Sequence, residues 1–207
     1  MSANPGEAPQ ARERILDAAA EAFMADGFVA ATIDDVARLV GATKGLVYYH
    51  FRSKFDLLLA VYEEAMRRAR NHVEPFATGD ADGFTRLSAM AVAHEHNLMQ
   101  HLAYHQVVHQ VVRGEMSFSL KARQREALIA ANQLRADHEQ LFRGVLEEGI
   151  ADGTLRPVDS ALATRTLLSS LNSVDTWFRP RPGQTVDELH ELATQIVDLL
   201  VGGLAQR

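Results

Sequence analysis

The sequence predicts an all-α fold. Three observations carry that expectation: apolar residues recur at intervals of three and four, no stretch alternates apolar and polar with period two, and hydroxyl or carboxylate caps stand where the periodic runs begin. Gly and Pro punctuate the chain unevenly, with no Pro between Pro9 and Pro75. Four helices are expected in that interval. The first covers residues 12–26, with Ile15, Leu16, Ala19, Ala22 and Phe23 on one face and Gly27 as a left-handed cap. Residues 1–11 are short and polar and read as a disordered tail. Thr32 then caps a second helix, with Asp35 in capping-box position and Val36, Ala37 and Val40 as its apolar face. Gly41 ends it. Thr43 caps a third, very short helix from Lys44 to Phe51, and Ser53 caps a fourth carrying Phe55, Leu58, Leu59, Tyr62 and Met66 on one stripe.

Beyond Pro75 the helices lengthen. Expected spans are residues 82–113, divided near 102, then 120–149, 159–178 and 185–204, separated by Gly114, by Gly149 to Pro157 and by Pro180 to Gly183. The last two carry parallel stripes. Leu167, Leu171, Val174 and Phe178 step by three and four on one, and Leu189, Ala193, Ile196 and Leu200 on the other. Each helix also carries apolar or small residues off its stripe (Leu168, Ser169, Ser170 and Ser173; Leu192 and Leu199), so two faces need cover. A second copy of the chain would supply it as a two-fold four-helix interface, with the stripes as that interface; a thick intramolecular core is the other reading.

Composition narrows the function classes. With 207 residues, 47 % of them hydrophobic, the chain is long enough for a sizeable core. It has no Cys, which excludes disulfide scaffolds, thiolate metal sites and a thiol nucleophile. No targeting pattern stands at the start and no apolar run approaches the length of a bilayer span, so a soluble, cytoplasmic protein with no membrane partner is expected. Nothing calls for a cofactor. There is no Gly-rich phosphate loop, no nucleophile elbow and no carboxylate pair placed for catalysis, and an enzyme is not expected.

The formal charge of -6 hides a local inversion. Residues 36–55 contain Arg38, Lys44, Arg52 and Lys54 and no acid, with Tyr48, Tyr49 and His50 interleaved, whereas the rest has 17 Lys and Arg against 27 Asp and Glu. Counterion release rewards local positive charge, so this window suits phosphate. Two short helices joined by Gly41 and Ala42 form the arrangement that carries a helix N-terminus into the major groove. Gly45, in the first turn of the second, costs about 1 kcal/mol of helix propensity relative to Ala, which suggests close approach of the backbone to a partner.

Thr43 to Lys54, TKGLVYYHFRSK, with the preceding TIDDVARLVGA and a leading helix ending in DGF, resembles the DNA-binding domain of the TetR family of transcriptional regulators. The resemblance covers residues 12–60. It implies a helix-turn-helix DNA-binding domain over residues 12–56 and a larger helical effector-binding and dimerisation domain over 57–207. It also implies a homodimer that binds a near-palindromic double-stranded operator and represses transcription until a small-molecule effector binds. Carried over by position, Thr32 and Thr43 would bond phosphates, Lys44 and Gly45 would meet base edges, and Tyr48, Tyr49, His50 and Lys54 would clamp phosphates. Val47 and Phe51 would be core. Leu46 falls where the family varies and often has a polar or small residue, and here it could touch only apolar features such as a thymine methyl.

By the same resemblance the body holds an effector pocket. His94, His101, His105 and His109 share one face if their segment stays helical, and Met66, Met90, Leu98, Phe142 and Trp177, with Met99, Met116 and Phe118, would form an adaptable apolar lining. Three readings of the histidines stand together: pocket lining, ordinary half-exposed residues, or metal ligands of a helical metal-dependent enzyme. The body is also similar to TetR-type regulators whose effectors are acyl-CoA thioesters, with AYHQVVHQ and WFRPRPGQT as the matching stretches and Arg113, Arg123, Arg125 and Arg179 as phosphate partners. A DNA-binding protein regulated by a partner instead of a ligand is a third possibility.

Overall fold

The computed structural model describes residues 7–114, 120–202, 204 and 205. They form α1 (Glu7–Ala30), α2 (Ile33–Val40), α3 (Lys44–His50), α4 (Lys54–Val73), a 3-10 turn (Glu74–Phe76), α5 (Gly83–Gln100), α6 (Leu102–Val112), α7 (Ala122–Ala151), α8 (Ser160–Asn172), α9 (Val174–Trp177) and α10 (Val186–Val201). Among the described residues extended pairing is limited to one antiparallel bridge, Leu155 with Ala205. No described helix is long and apolar enough to cross a membrane. Met116 and Phe118 lie outside the described residues.

The chain divides into two compact units, one of residues up to Ala65 with Ala103–Asn132, the other of Met66–Leu102 with residues from Gln133 onward. In the first, α1 begins at Glu7, inside the stretch expected to be a tail, and it is broken at Gly27, where φ is 72° and ψ 159°. Ile15, Leu16, Ala19 and Phe23 of α1 are buried with Ile33, Val36 and Val47. Two polar ties reinforce this packing: Tyr104 donates to Asp17 at 2.7 Å, and the Arg14 guanidinium donates to the Val40 carbonyl at 2.8 Å, occupying an acceptor at the end of α2.

The second unit is built on α5, α7, α8 and α10. Leu87, Met90, Phe142, Leu146, Leu167, Leu171, Val197 and Val201 meet in one buried cluster. The α5–α6 junction falls at His101, whose φ of -123° and ψ of 40° end the helix. A break at Ser173 likewise separates α8 from α9 where one continuous helix was expected.

α5 and α7 touch backbone to backbone at one point. A Cβ built on Gly83 would stand 2.2 Å from the Gly149 Cα, and one on Gly149 would stand 2.5 Å from Leu155 Cδ1. Asp152 and Thr154 then accept from the backbone N–H groups of Gly83 and Phe84 at 2.7 and 3.1 Å, satisfying free donors of α5. Gly83→Ala must push the two backbones apart, so chemical denaturation should show a loss of about 1–3 kcal/mol. Gly144→Ala, on the same α7 where a Cβ meets nothing within 4 Å, should be neutral or stabilising by up to about 1 kcal/mol.

Candidate functional site

Local caps fix α2 and α3. Thr32 Oγ1 accepts from the Asp35 N–H at 3.2 Å and the Asp35 carboxylate accepts from the Thr32 N–H at 2.9 Å, a reciprocal capping box. The Thr32 hydroxyl and N–H, with the Arg38 guanidinium, hold the Asp35 carboxyl below its usual range. Gly41, at φ 69°, ends α2 in the left-handed conformation, and Ala42 N–H returns to the Ala37 carbonyl at 2.9 Å. Thr43 then caps α3 through Leu46 N–H at 3.4 Å.

Val47 and Phe51 are buried, which turns the rest of α3 outward. At about 100° per residue, Gly45 lies opposite Val47, flanked by Lys44 and Tyr48 on one side and Leu46 and Tyr49 on the other. Tyr48 is 46 % exposed and Tyr49 79 %, so Tyr49 does not pack on α1. Its ring instead meets His50 edge-on, 5.1 Å between centroids, and His50 is half-buried. Lys44 Nζ donates to Asp34 at 2.7 Å, and that bond raises the affinity of the ammonium for its proton. Asp34 was not singled out by the sequence reading, since an acid ten residues away in sequence gives no signal of the pairing.

Lys54 departs from the expected cluster. Its Nζ donates to the carbonyls of Phe28, Val29 and Ala31 at 2.7, 3.1 and 2.8 Å and lies 4.6 Å from the Phe28 ring centroid. Burial lowers its pKa. The side chain closes the corner between α1 and α2, so its ammonium is occupied by the protein and is not presented beside Tyr48.

The histidine stripe is broken where α5 ends. His94 is fully enclosed: its Nδ1 lies 3.2 Å from His138 Nε2 and its Nε2 lies 3.2 Å from Asn172 Oδ1, with the Phe142 ring edge-on at 5.9 Å. His101 instead lies 3.2 Å from an Arg68 nitrogen and near the His72 ring. His94 and His101 thus meet different neighbours, and His105, largely buried, and His109 belong to the other compact unit. Met66, Met90, Leu98 and Phe142 are buried in the second unit, whereas Trp177 is 54 % exposed and is no part of its interior.

Beside His94, Glu95 is fully buried, and neither of its carboxyl oxygens has a hydrogen-bond partner. Burial, with the nearby Asp175 second, pushes its carboxyl up to about 8. Burial also lowers His94 to about 4, against the Asn172 hydrogen bond, and lowers His138 to about 3, with His94 and Arg70 adding repulsion. Both imidazoles are therefore neutral. With Asn172 Oδ1 accepting from His94 Nε2–H, His94 Nδ1 accepts from His138 Nε2–H, and His138 Nδ1 is left as a buried acceptor without a partner. Sequence reading found His94 but not Glu95, His138, Asn172 or Asp175. The signal was there for Glu95, a carboxylate with Ala91, Val92, Leu98 and Met99 three and four residues away on its own helix.

The stripes read as a dimer interface are largely the protein's own core. Leu167, Leu171, Val174, Phe178 and Ala193 are all buried, and Leu189, Ile196 and Leu200 are half-buried. They serve the intramolecular packing of α8, α9 and α10 against α5. Cover is lacking on the other faces: Leu162 is 67 % and Leu199 84 % exposed, and Thr166, Ser169, Ser170 and Ser173 line a shallow surface depression.

These buried groups give stability a pH optimum. Glu95 stays protonated in the folded chain up to about 8, whereas an unfolded Glu ionises near 4.5, so its contribution is complete below 4.5 and is lost as pH rises toward 8. His94 and His138 remain neutral down to about 4 and 3, so their contribution is complete above 6.5 and is lost as pH falls. Denaturation midpoints should peak near pH 6.5, and Glu95→Gln should flatten the alkaline limb and steepen the limb between 4.5 and 6.5, where loss of the Glu95 contribution offsets the gain from the histidines.

Comparison with known proteins places this geometry. Residues 15–61 match the family model described as bacterial regulatory proteins, tetR family, and residues 80–204 match the tetracyclin repressor-like C-terminal domain. The transcriptional repressor KstR2 of Rhodococcus jostii is 28 % identical over 94 % of this chain and 91 % of that protein. A regulator of Pseudomonas putida, TtgW, is 51 % identical over 55 residues, 27 % of this chain and 41 % of that protein. Among solved structures, PfmR of Thermus thermophilus superposes with a TM-score of 0.77 at 30 % identity, over 93 % of this chain and 100 % of that one. The fold is also that of AibR, solved with isovaleryl coenzyme A and operator DNA, at a TM-score of 0.73 and 20 % identity, covering 94 % and 98 % of the two chains. The two family matches together span both compact units, and the chain belongs to the TetR family of DNA-binding transcriptional regulators.

Proposed function

We propose that this chain is a homodimeric cytoplasmic repressor that holds a near-palindromic operator through α3 and is released by a small-molecule effector bound in its C-terminal body. In this reading residues 12–56 are the DNA-binding domain and residues 57–207 the effector-binding and dimerisation domain. One observation carries the DNA half. Gly45 has helical geometry and open space around it: an added Cβ would meet only Thr43 Oγ1, at 3.7 Å. No internal contact explains a residue that costs the helix about 1 kcal/mol, so the vacant surface serves an external partner that approaches the backbone. Lys44, Tyr48, Tyr49 and His50 surround that surface with donors suited to base edges and phosphates, and the Thr32 and Thr43 hydroxyls flank it.

The effector site in this reading is the interior of the second unit around His94, Met90, Leu98 and Phe142. A hydrophobic acid or its acyl-CoA thioester is the favoured class, supported by the isovaleryl coenzyme A in AibR. Effector and operator would each favour a different state of the dimer, since two recognition helices must enter successive grooves about 34–36 Å apart. The second copy would cover the outward faces of α8 and α10, where Leu162 and Leu199 are exposed, and not the buried stripes.

Two experiments test these assignments. Against an operator selected from a randomised duplex pool, Gly45→Ala should raise the melting temperature yet weaken binding, Tyr48→Ala should weaken binding with unchanged helix content, and Lys44→Ala should reduce the salt slope by about one. Wild-type affinity in all three would remove α3 as the reading element. Sedimentation of Leu162→Glu with Leu199→Glu should show monomers where the parent is a dimer; a persistent dimer would place the interface elsewhere.

A further inference from the structure

We infer that Leu46 is a specificity-determining residue that selects thymine in each operator half-site by contact with its 5-methyl group. The inference rests on the reading that α3 enters the major groove, and it goes beyond that reading by assigning one base. Leu46 sits in the first turn of α3, 36 % exposed, immediately beside the vacant surface at Gly45. Val47, the next residue, is fully buried and fixes the rotation of the helix, so Leu46 cannot turn into the core without turning Val47 out. Its neighbours on the exposed face are a hydroxyl, an ammonium, two phenols and an imidazole, from Thr43, Lys44, Tyr48, Tyr49 and His50.

Base edges in the major groove present donors and acceptors with a single apolar exception, the thymine C5-methyl. A leucine brought to the groove floor has no hydrogen bond to offer. Opposite a cytosine or purine edge it would strip water from polar atoms without replacing their hydrogen bonds, whereas opposite thymine it removes two apolar surfaces from water together. Gly45 makes the approach possible, because the backbone beside Leu46 carries no side chain to hold the helix away from the base pairs. Lys44 on the opposite flank has its ammonium partnered by Asp34, which leaves the Leu46 side of the helix to carry the apolar contact.

The test uses the full-length protein and a missing-methyl interference assay. An operator is first selected from a randomised duplex pool, then resynthesised with deoxyuridine replacing a fraction of its thymidines, and bound and free duplexes are compared position by position. Wild type should exclude uracil at one symmetry-related thymine in each half-site by about fourfold, the worth of one buried methyl. Leu46→Ala should lose that discrimination while keeping the remaining sequence preference and its melting temperature. Interference at no thymine overturns the assignment, and so does interference that survives Leu46→Ala; in both cases binding of the selected duplex leaves the DNA reading intact. Failure to enrich any sequence overturns the DNA reading itself, and this inference with it.

Discussion

The orientation of α3 depends on one ammonium group. Gly27 breaks α1, and the carbonyls of Phe28, Val29 and Ala31 that follow need donors. Lys54 delivers all three from the first residue of α4, at the cost of partial burial that lowers its pKa, with the face of Phe28 as further cover. The start of α4 is thereby tied to the corner from which α2 departs, and α3 is the short segment suspended between α2 and α4. Arg14 closes the other end of α2 in the same manner. The basic window that looked like a uniform phosphate-binding patch thus divides its work, one cation holding the frame and the others standing on the surface.

The second unit makes the opposite choice. Its interior is apolar over most of its volume, yet it encloses the neutral imidazoles of His94 and His138, the Asn97 amide and the carboxyls of Glu95 and Asp175. A carboxyl with both oxygens unbonded costs the fold several times what an average hydrogen bond contributes, and an apolar side chain of similar volume would remove that cost. Retention of such groups in an otherwise well-packed core is the pattern of a site kept for function at the expense of stability.

Much of this was legible in the sequence. Capping residues marked the starts of α2, α3 and α4 because the cap is a local interaction whose partner lies three residues away. The outward face of α3 was legible too, since Val47 is buried as expected and one buried residue fixes the rotation of so short a helix. What escaped was set by distance along the chain. The acceptors of Lys54 lie 23 to 26 residues before it, Asp34 lies ten residues before Lys44, and His138 and Asn172 lie 44 and 78 residues from His94. The stripes on α8 and α10 were correctly apolar, but period alone does not say whether a face meets its own core or another copy.

The bare contact between Gly83 and Gly149 has a mechanical consequence. Eleven residues along each helix from that contact stand His94 and His138, facing each other as antiparallel helices require. At 1.5 Å per residue the arm is about 16 Å on both sides. Were the two helices to hinge at that contact, a swing of about ten degrees would open the histidine pair by about 3 Å. In such a swing the glycines would be the fulcrum and the imidazoles the latch at the end of the lever.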